Sequence, residues 1–95
     1  MPEMRFNIRW PDGLRESCYS PSLVIKEYFA PGRSYPIADF LTRARTALAI
    51  ASDRVMAKYG RPCSLAQAQI QRIEAGCRNF AGVEHARVSV ESFEE

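Results

Sequence analysis

No stretch of this 95-residue chain approaches the roughly 20 consecutive apolar residues that a membrane-spanning helix needs. The segment Met1-Pro2-Glu3-Met4-Arg5 lacks the hydrophobic region of a secretory signal, so a cytoplasmic location is expected. The net charge is only +2, and acids and bases are interspersed, which is not the basic footprint of a nucleic-acid-binding protein. We therefore expect neither a membrane nor a nucleic acid as a partner.

Residues that bind metals or act as catalytic bases are scarce. The chain has one histidine, His85, and three cysteines, Cys18, Cys63 and Cys77, with no CxxC pair among them. No cysteine stands at metal-ligand spacing from His85, so we expect neither a metal site nor a cofactor. An odd number of cysteines in a chain without a signal segment predicts reduced thiols.

The composition is that of a folded protein. Apolar residues make up 46% of the chain and charged residues 25%, which excludes a disordered protein. A chain of this length buries one modest core, and the sequence shows neither an internal repeat nor a linker. We therefore expect a single domain over residues 1–95.

Apolar residues alternate with polar ones near both ends of the chain, which predicts strands there. The first strand presents one apolar face, formed by Met4, Phe6, Ile8 and Trp10. Pro11-Asp12-Gly13 supplies turn residues, and residues 14–19 return as the second strand of a hairpin, with Leu14 and Cys18 on a common buried face. The same alternation over residues 86–91 predicts the final strand.

Three helices are predicted between these strands. Ser20 caps the first and short helix, Pro21 occupies its first position, and Pro31-Gly32 ends it before a loop. The second helix, residues 36–59, is the most regular, because its apolar residues recur at steps of four and three. That stripe consists of Ile37, Leu41, Ala44, Leu48, Ala51, Val55 and Tyr59. Gly60 supplies its C-terminal cap.

Ser64 and Gln67 predict a capping box at the start of the third helix, which closes at residues 79–82. The buried stripe expected on this helix is Leu65, Ala68, Ile70, Ile73 and Cys77. The resulting order, ββαααβ, predicts an α+β fold in which a three-stranded, mainly antiparallel sheet carries three helices on one face.

Cys63 is the candidate reactive thiol. Arg61 and the N-terminus of the following helix would both stabilise a thiolate at this position. No histidine or acid is close in sequence to act as a base, so the alternative is a small side chain packed at a helix corner. Both interpretations remain open, and Arg61, Cys63 and Ser64 stand as candidate binding residues. Beyond this thiol the sequence offers no catalytic residue.

A second candidate site lies around the first helix and the loop that follows it. Its polar residues, with one aromatic, are Ser20, Ser22, Arg33, Ser34 and Tyr35. Backbone amides at a helix start, together with an arginine, favour an anion pocket, and the tyrosine is suited to recognition of a protein partner. Ordinary helix capping and loop solvation are the alternative.

Several uncommon segments resemble a family of small bacterial proteins called nitrogen starvation response proteins. They are Arg9-Trp10-Pro11-Asp12-Gly13, Glu16-Ser17-Cys18-Tyr19-Ser20-Pro21-Ser22, Pro31-Gly32-Arg33-Ser34-Tyr35, Lys58-Tyr59-Gly60-Arg61-Pro62-Cys63-Ser64 and the closing Val90-Glu91-Ser92-Phe93. The resemblance implies a gene cluster that also encodes a nitrilase, a radical-SAM protein, an acetyltransferase and a flavoprotein. It implies a role in scavenging nitrogen from nitriles or cyanide, and it assigns no catalytic residue.

Two functions remain open from the sequence. The first is a non-enzymatic accessory or binding protein that works with enzymes of the same cluster, as a hetero-complex or a homodimer, through a sheet edge or the surface around Tyr35. The second is a small thiol-dependent enzyme or carrier that uses Cys63. The missing acid and base partners favour the first.

Overall fold

The computed structural model describes residues 2–95, which form two α-helices and a four-stranded sheet. The helices are α1 (Ile37–Tyr59) and α2 (Ser64–Arg78), and the strands are β1 (Met4–Arg9), β2 (Arg15–Ser20), β3 (Arg33–Pro36) and β4 (Arg87–Glu94). A short 3₁₀ helix, Leu23–Glu27, lies between β2 and β3. None of the helices within residues 2–95 is long and apolar enough to cross a membrane.

The strands lie in the order β2-β1-β4-β3, and every neighbouring pair is antiparallel. The predicted α+β class is confirmed. The prediction of three strands and three helices is wrong, because residues 33–36 form a strand and the first predicted helix is only a 3₁₀ turn.

The strand β3 lies where the sequence predicted a loop. Gly32 has a left-handed φ of 83°, and its N–H donates to the carbonyl of Val90 at 2.8 Å, which brings the chain alongside β4. Tyr35 then pairs with Val88 and turns its ring into the core. Pairing with a strand more than fifty residues away leaves no local signal, whereas Pro31 and Gly32 are strong local signals for a loop.

The first predicted helix is five residues long and begins after Ser22 rather than after Ser20. The Ser22 hydroxyl accepts a hydrogen bond from the Val24 N–H at 3.3 Å, and the Ser20 hydroxyl donates to the Ser22 carbonyl at 2.7 Å. Eleven residues, 21–31, lie between the end of β2 and the turn at Gly32, and a helix shorter than about 12 residues is only marginally stable by itself.

The core lies between the inner face of the sheet and α1. All four residues of the predicted apolar face of β1 are buried, as are Cys18 and Leu48. Leu41 and Val55 are only half-buried, and Tyr59 is 55% exposed. A helix of 23 residues spans roughly 34 Å and the six-residue strand β1 roughly 20 Å, so the last turns of α1 extend beyond the sheet.

Three further predictions of burial are wrong, those for Leu14, Leu65 and Ala68. Leu14 is 66% exposed because it lies in the hairpin loop, which the hydrogen bond from the Trp10 N–H to the Leu14 carbonyl closes. On α2, Leu65 is exposed, whereas Gln69 is buried. The inner face of α2 is made of Ala66, Gln69, Ile73 and Cys77, since this helix packs against both α1 and the edge strand β2.

The start of α2 also differs from the predicted capping box. Cys63 is the N-cap residue, Ser64 is the first helical residue, and no side chain caps the helix. The sequence pattern of a capping box is therefore present without its hydrogen bonds, because the helix begins one residue earlier than predicted.

Side chains cover the exposed edges of the sheet. On β2, the Tyr19 N–H donates to Oε1 of Gln69 at 2.9 Å. On β3, Nη2 of Arg87 donates to the Ser34 carbonyl at 2.9 Å, and Pro36 has no N–H to offer. Each of these contacts engages one backbone group that another strand would need for pairing.

Candidate functional site

The two helices and the loop that joins α2 to β4 enclose a cleft of about 700 Å³. It lies where α1 begins and α2 ends, and we call it the α1–α2 cleft. Its apolar surface comes from Ile37, Leu41, Phe80 and Val83. Val83 is 54% exposed, so a large apolar side chain faces the open space of the cleft. The volume falls within the range of small-molecule binding sites.

The position of Phe80 is set by the packing of Trp10. The two rings stack with their centroids 6.0 Å apart and their planes 16° from parallel. Gly76 also lies against the indole, since a Cβ atom at this position would be 2.5 Å from Cζ2 of Trp10. A glycine is thus required at this point of α2 for the tryptophan to reach Phe80, and Phe80 forms one wall of the cleft.

Charged side chains surround the apolar surface. Three arginines, Arg45, Arg78 and Arg87, line the cleft together with a single carboxylate, that of Glu74. The Arg45 guanidinium and Glu74 form an ion pair with an Nη2–Oε2 distance of 2.7 Å. This pair joins α1 to α2, and the arginine excess makes the surroundings of the cleft electropositive.

The thiol of Cys77 lies at the cleft wall but is only 3% exposed. Burial raises its pKa to about 11, with the Glu74 carboxylate acting in the same direction and Arg45 in the opposite one. The thiol is therefore uncharged at neutral pH and a poor nucleophile, and it contributes apolar surface to the site.

The loop that closes the cleft contains a residue in a strained conformation. His85 has a left-handed φ of 63°, which is uncommon for a residue with a side chain. Its neighbour Ala86 accepts a hydrogen bond from the Ile37 N–H at 3.3 Å, so this loop is bound to the start of α1. His85 is exposed and lies two residues before β4.

The residues of the second predicted site do not come together. Ser20 lies on β2 and Arg33 and Ser34 lie on β3, the two edge strands of the sheet, with β1 and β4 between them. Three strand spacings correspond to roughly 14 Å. Ser20 and Ser22 are buried and bonded to each other and to the backbone, and Nη1 of Arg54 donates to the Ser22 hydroxyl at 2.8 Å.

Tyr35 belongs to the core. Its ring packs edge-on against Phe29 with centroids 5.2 Å apart, and its hydroxyl accepts a hydrogen bond from the Ala30 N–H at 2.9 Å. The Arg43 guanidinium lies over the ring, 5.0 Å from the centroid. These contacts engage both the ring and the hydroxyl within the fold.

The residues of the first predicted site lie close together because they are neighbours in the sequence. Arg61, Cys63 and Ser64 lie at the connection between α1 and α2, where Cys63 is half-buried and the other two are exposed. His85 follows the opposite end of α2, a helix of 15 residues that is roughly 22 Å long. The single histidine is thus too far away to act as a base for this thiol. Within residues 2–95, no three His, Cys, Asp or Glu side chains are grouped as metal ligands.

Sequence reasoning missed the α1–α2 cleft. Its lining comes from α1, α2 and the loop after α2, which meet only in the folded chain. The one available signal was Val83, an apolar residue in a segment of polar and small residues. Gln69 was also missed, because one buried polar residue on a helix leaves the apolar pattern almost unchanged.

A comparison with protein-family models matches residues 5–93 to the family described as nitrogen starvation-induced protein NitG. No curated protein matches the chain. No solved structure matches it either.

Proposed function

Because the chain belongs to the family of nitrogen starvation-induced proteins NitG, we propose that it is a non-enzymatic binding protein that acts when nitrogen is scarce. Its ligand occupies the α1–α2 cleft. The observation that carries this proposal is the cleft itself, about 700 Å³ in volume, with apolar surface at its centre and arginines around it. Such a combination of apolar surface and few polar groups is typical of ligand sites.

Neither the thiol nor the carboxylate that lines the cleft is suited to bond making. The Cys77 thiol is buried, and its pKa of about 11 keeps it uncharged at neutral pH. The Glu74 carboxylate is held by Arg45. A general base needs a free acceptor within hydrogen-bond reach of the substrate, and this ion pair already occupies the only carboxylate among the lining residues.

We further propose that the binding serves a pathway that obtains nitrogen from nitriles or cyanide, in concert with an enzyme encoded in the same cluster. The resemblance of the sequence segments supports this context. Since the edge groups at Tyr19 and Ser34 are engaged within the fold, we place the partner surface away from the sheet edges. Affinity capture from nitrogen-starved cells tests the hetero-complex, and light scattering at micromolar concentration tests a homodimer. A monomer in solution that captures no enzyme of the cluster contradicts this part of the proposal.

The cleft is tested by filling it. Ala38 lies on its wall in the first turn of α1, and Ala57 is another exposed alanine near the other end of the same helix. We expect Ala38→Trp to abolish complementation of a deletion strain under nitrogen limitation, and Ala57→Trp to complement fully. Circular dichroism and thermal unfolding of both variants establish that each remains folded.

Equal complementation by the two tryptophan variants contradicts a role for the cleft. Failure of both would show that any bulky group on α1 is harmful, and it would equally overturn the cleft as the specific site.

A thiol function at Cys63 is the second candidate, favoured by one observation. Cys63 is half-buried, whereas Cys18 and Cys77 are buried. We expect iodoacetamide to modify Cys63 first, as followed by mass spectrometry of peptides. Under the binding proposal, Cys63→Ser complements the deletion strain. Loss of complementation with an unchanged fold favours the thiol function instead.

A further inference from the structure

We propose that the ligand of the α1–α2 cleft is a small organic anion, with an apolar body and one acidic group such as a carboxylate. This inference rests on the proposed function, since it takes the cleft as the binding site. It adds the chemical class of the ligand and the residue that recognises its charge, Arg78.

The apolar body follows from the surface at the centre of the cleft. Ile37 and Leu41 from α1 face Phe80 and Val83 from the loop after α2. Phe80 is fixed by its stacking on Trp10, so this surface is formed before any ligand arrives. Burying such side chains against a ligand contributes roughly 25 cal/mol per Å² of apolar surface. A small inorganic anion would leave this surface exposed to water.

We infer the acidic group of the ligand from the three arginines of the cleft, because two of them already have partners in the fold and one does not. Arg45 is engaged by Glu74, and Arg87 donates through Nε and Nη2 to the hydroxyl and carbonyl of Ser34, both at 2.9 Å. Arg78 forms no salt bridge with any residue in the range 2–95. Its guanidinium is therefore available for a ligand, and it offers the paired N–H groups that a carboxylate accepts.

The beginning of α1 adds to the same field. The helix starts at Ile37 on the cleft wall, and no side chain caps it. Its N-terminal end carries a partial positive charge, which favours an anion within the first turn. Asp39, the acid of this turn, is engaged by Arg43 at 3.0 Å. A ligand with an ammonium group would be repelled by this positive field and by the arginines.

Two fluorescent probes with the same apolar body separate charge from hydrophobicity. Anilinonaphthalene sulfonate carries an anionic group, and phenylnaphthylamine is its neutral counterpart. We expect the folded protein to bind the sulfonate at least about fivefold more tightly, the range of a partly exposed ion pair. Decanoate should displace the sulfonate, whereas decanol should displace it only at higher concentration.

Variants of two arginines on α2 test whether Arg78 binds the anionic group of the probe. Arg78→Gln should weaken sulfonate binding about fivefold and leave binding of the neutral probe unchanged. The matched control is Arg72→Gln, an exposed arginine of the same helix outside the cleft, which should change neither. Ala38→Trp should weaken both probes, which places them in the cleft.

The outcomes of these experiments test the anionic ligand, the location of its site and the proposed function separately. Equal affinity for the two probes, or equal effects of Arg78→Gln and Arg72→Gln, overturns the anionic ligand but leaves the cleft as the binding site. Probe binding that Ala38→Trp does not weaken overturns the anion site in the cleft. Complementation by Ala38→Trp in cells contradicts the proposed function separately, whatever the probes show.

Discussion

The two ends of the α1–α2 pair differ in what the fold does with them. At the connection of the helices, residues 60–63, the chain turns beyond the edge of the core, and Tyr59 and Leu65 are exposed. At the other end, α1 begins against the loop after α2, Phe80 stacks on Trp10, and the α1–α2 cleft is formed.

The difference shows that helix-terminus chemistry alone does not make a site. The connection has the cysteine, the serine and the arginine that attract attention in the sequence, but few packed neighbours enclose them. The cleft end has unremarkable residues, and three segments enclose them. Enclosure excludes water and strengthens every polar contact inside, which is what a binding site needs.

The largest expected effect is on the free energy of unfolding, and it distinguishes the packed part of α1 from the part that extends beyond the sheet. Leu48 is fully buried, and Val55 is half-buried one heptad later. We expect Leu48→Ala to lower the free energy of unfolding by about 2–5 kcal/mol and Val55→Ala by less than about 1 kcal/mol, measured by urea denaturation. Similar costs for both would show that the projecting end is as well packed as the core.

The next effect tests the packing that supports the cleft wall. Gly76→Ala places a methyl group against the Trp10 ring and should destabilise the protein by about 1–3 kcal/mol despite its better helix propensity. Gly82 has open space around its Cα, so Gly82→Ala is the control and should be neutral within about 0.5 kcal/mol. A neutral Gly76→Ala would mean that the indole has room to move.

The stability of the protein at alkaline pH reports on the Cys77 thiol at the cleft wall. The pKa of Cys77 rises from 9.0 to about 11 on folding, so the unfolded thiol ionises first and stability falls as pH rises through this interval. Cys77→Ala has no such ionisation. The stability difference between wild type and Cys77→Ala should therefore shrink by up to about 2 kcal/mol between pH 8 and pH 10.5. A constant difference contradicts the burial of this thiol.

The smallest expected effect concerns the strained loop residue. The left-handed φ of His85 costs about 1–2 kcal/mol, and glycine adopts it freely but loses more entropy on folding. His85→Gly should thus stabilise the protein by less than about 1 kcal/mol, whereas the β-branched His85→Val should destabilise it. Thermal unfolding compares the two. A stabilised valine variant would contradict the left-handed conformation.

Local periodicity was sufficient to predict the elements with strong patterns. The apolar alternation from Met4 to Trp10 gave β1, and the repeat from Ile37 onward gave α1 to within one residue. The strand β3 was not predictable in this way, because its pairing with Val88 and Val90 depends on residues far along the chain. The burial of Gln69 depends equally on a distant backbone N–H, that of Tyr19.

The candidate site was less predictable than the fold. Cys63 and Ser64 lie at a helix start as predicted, although no side chain caps that helix. The cleft depends on the distance between Leu41 and Phe80, which lie almost forty residues apart, and on a tryptophan held by a glycine. Such contacts have no sequence period, and only the folded chain reveals them.

The position of β4 bears on how the protein is made. This strand, residues 87–94, lies between β1 and β3 and supplies the middle of the sheet. A ribosome that has released only the preceding segments has produced a hairpin and a helical pair that cannot yet close over a common core. Contacts between residues more than eighty positions apart are slow to form. Folding to completion therefore waits until this strand has emerged, and until then the nascent chain exposes the apolar faces of β1 and α1.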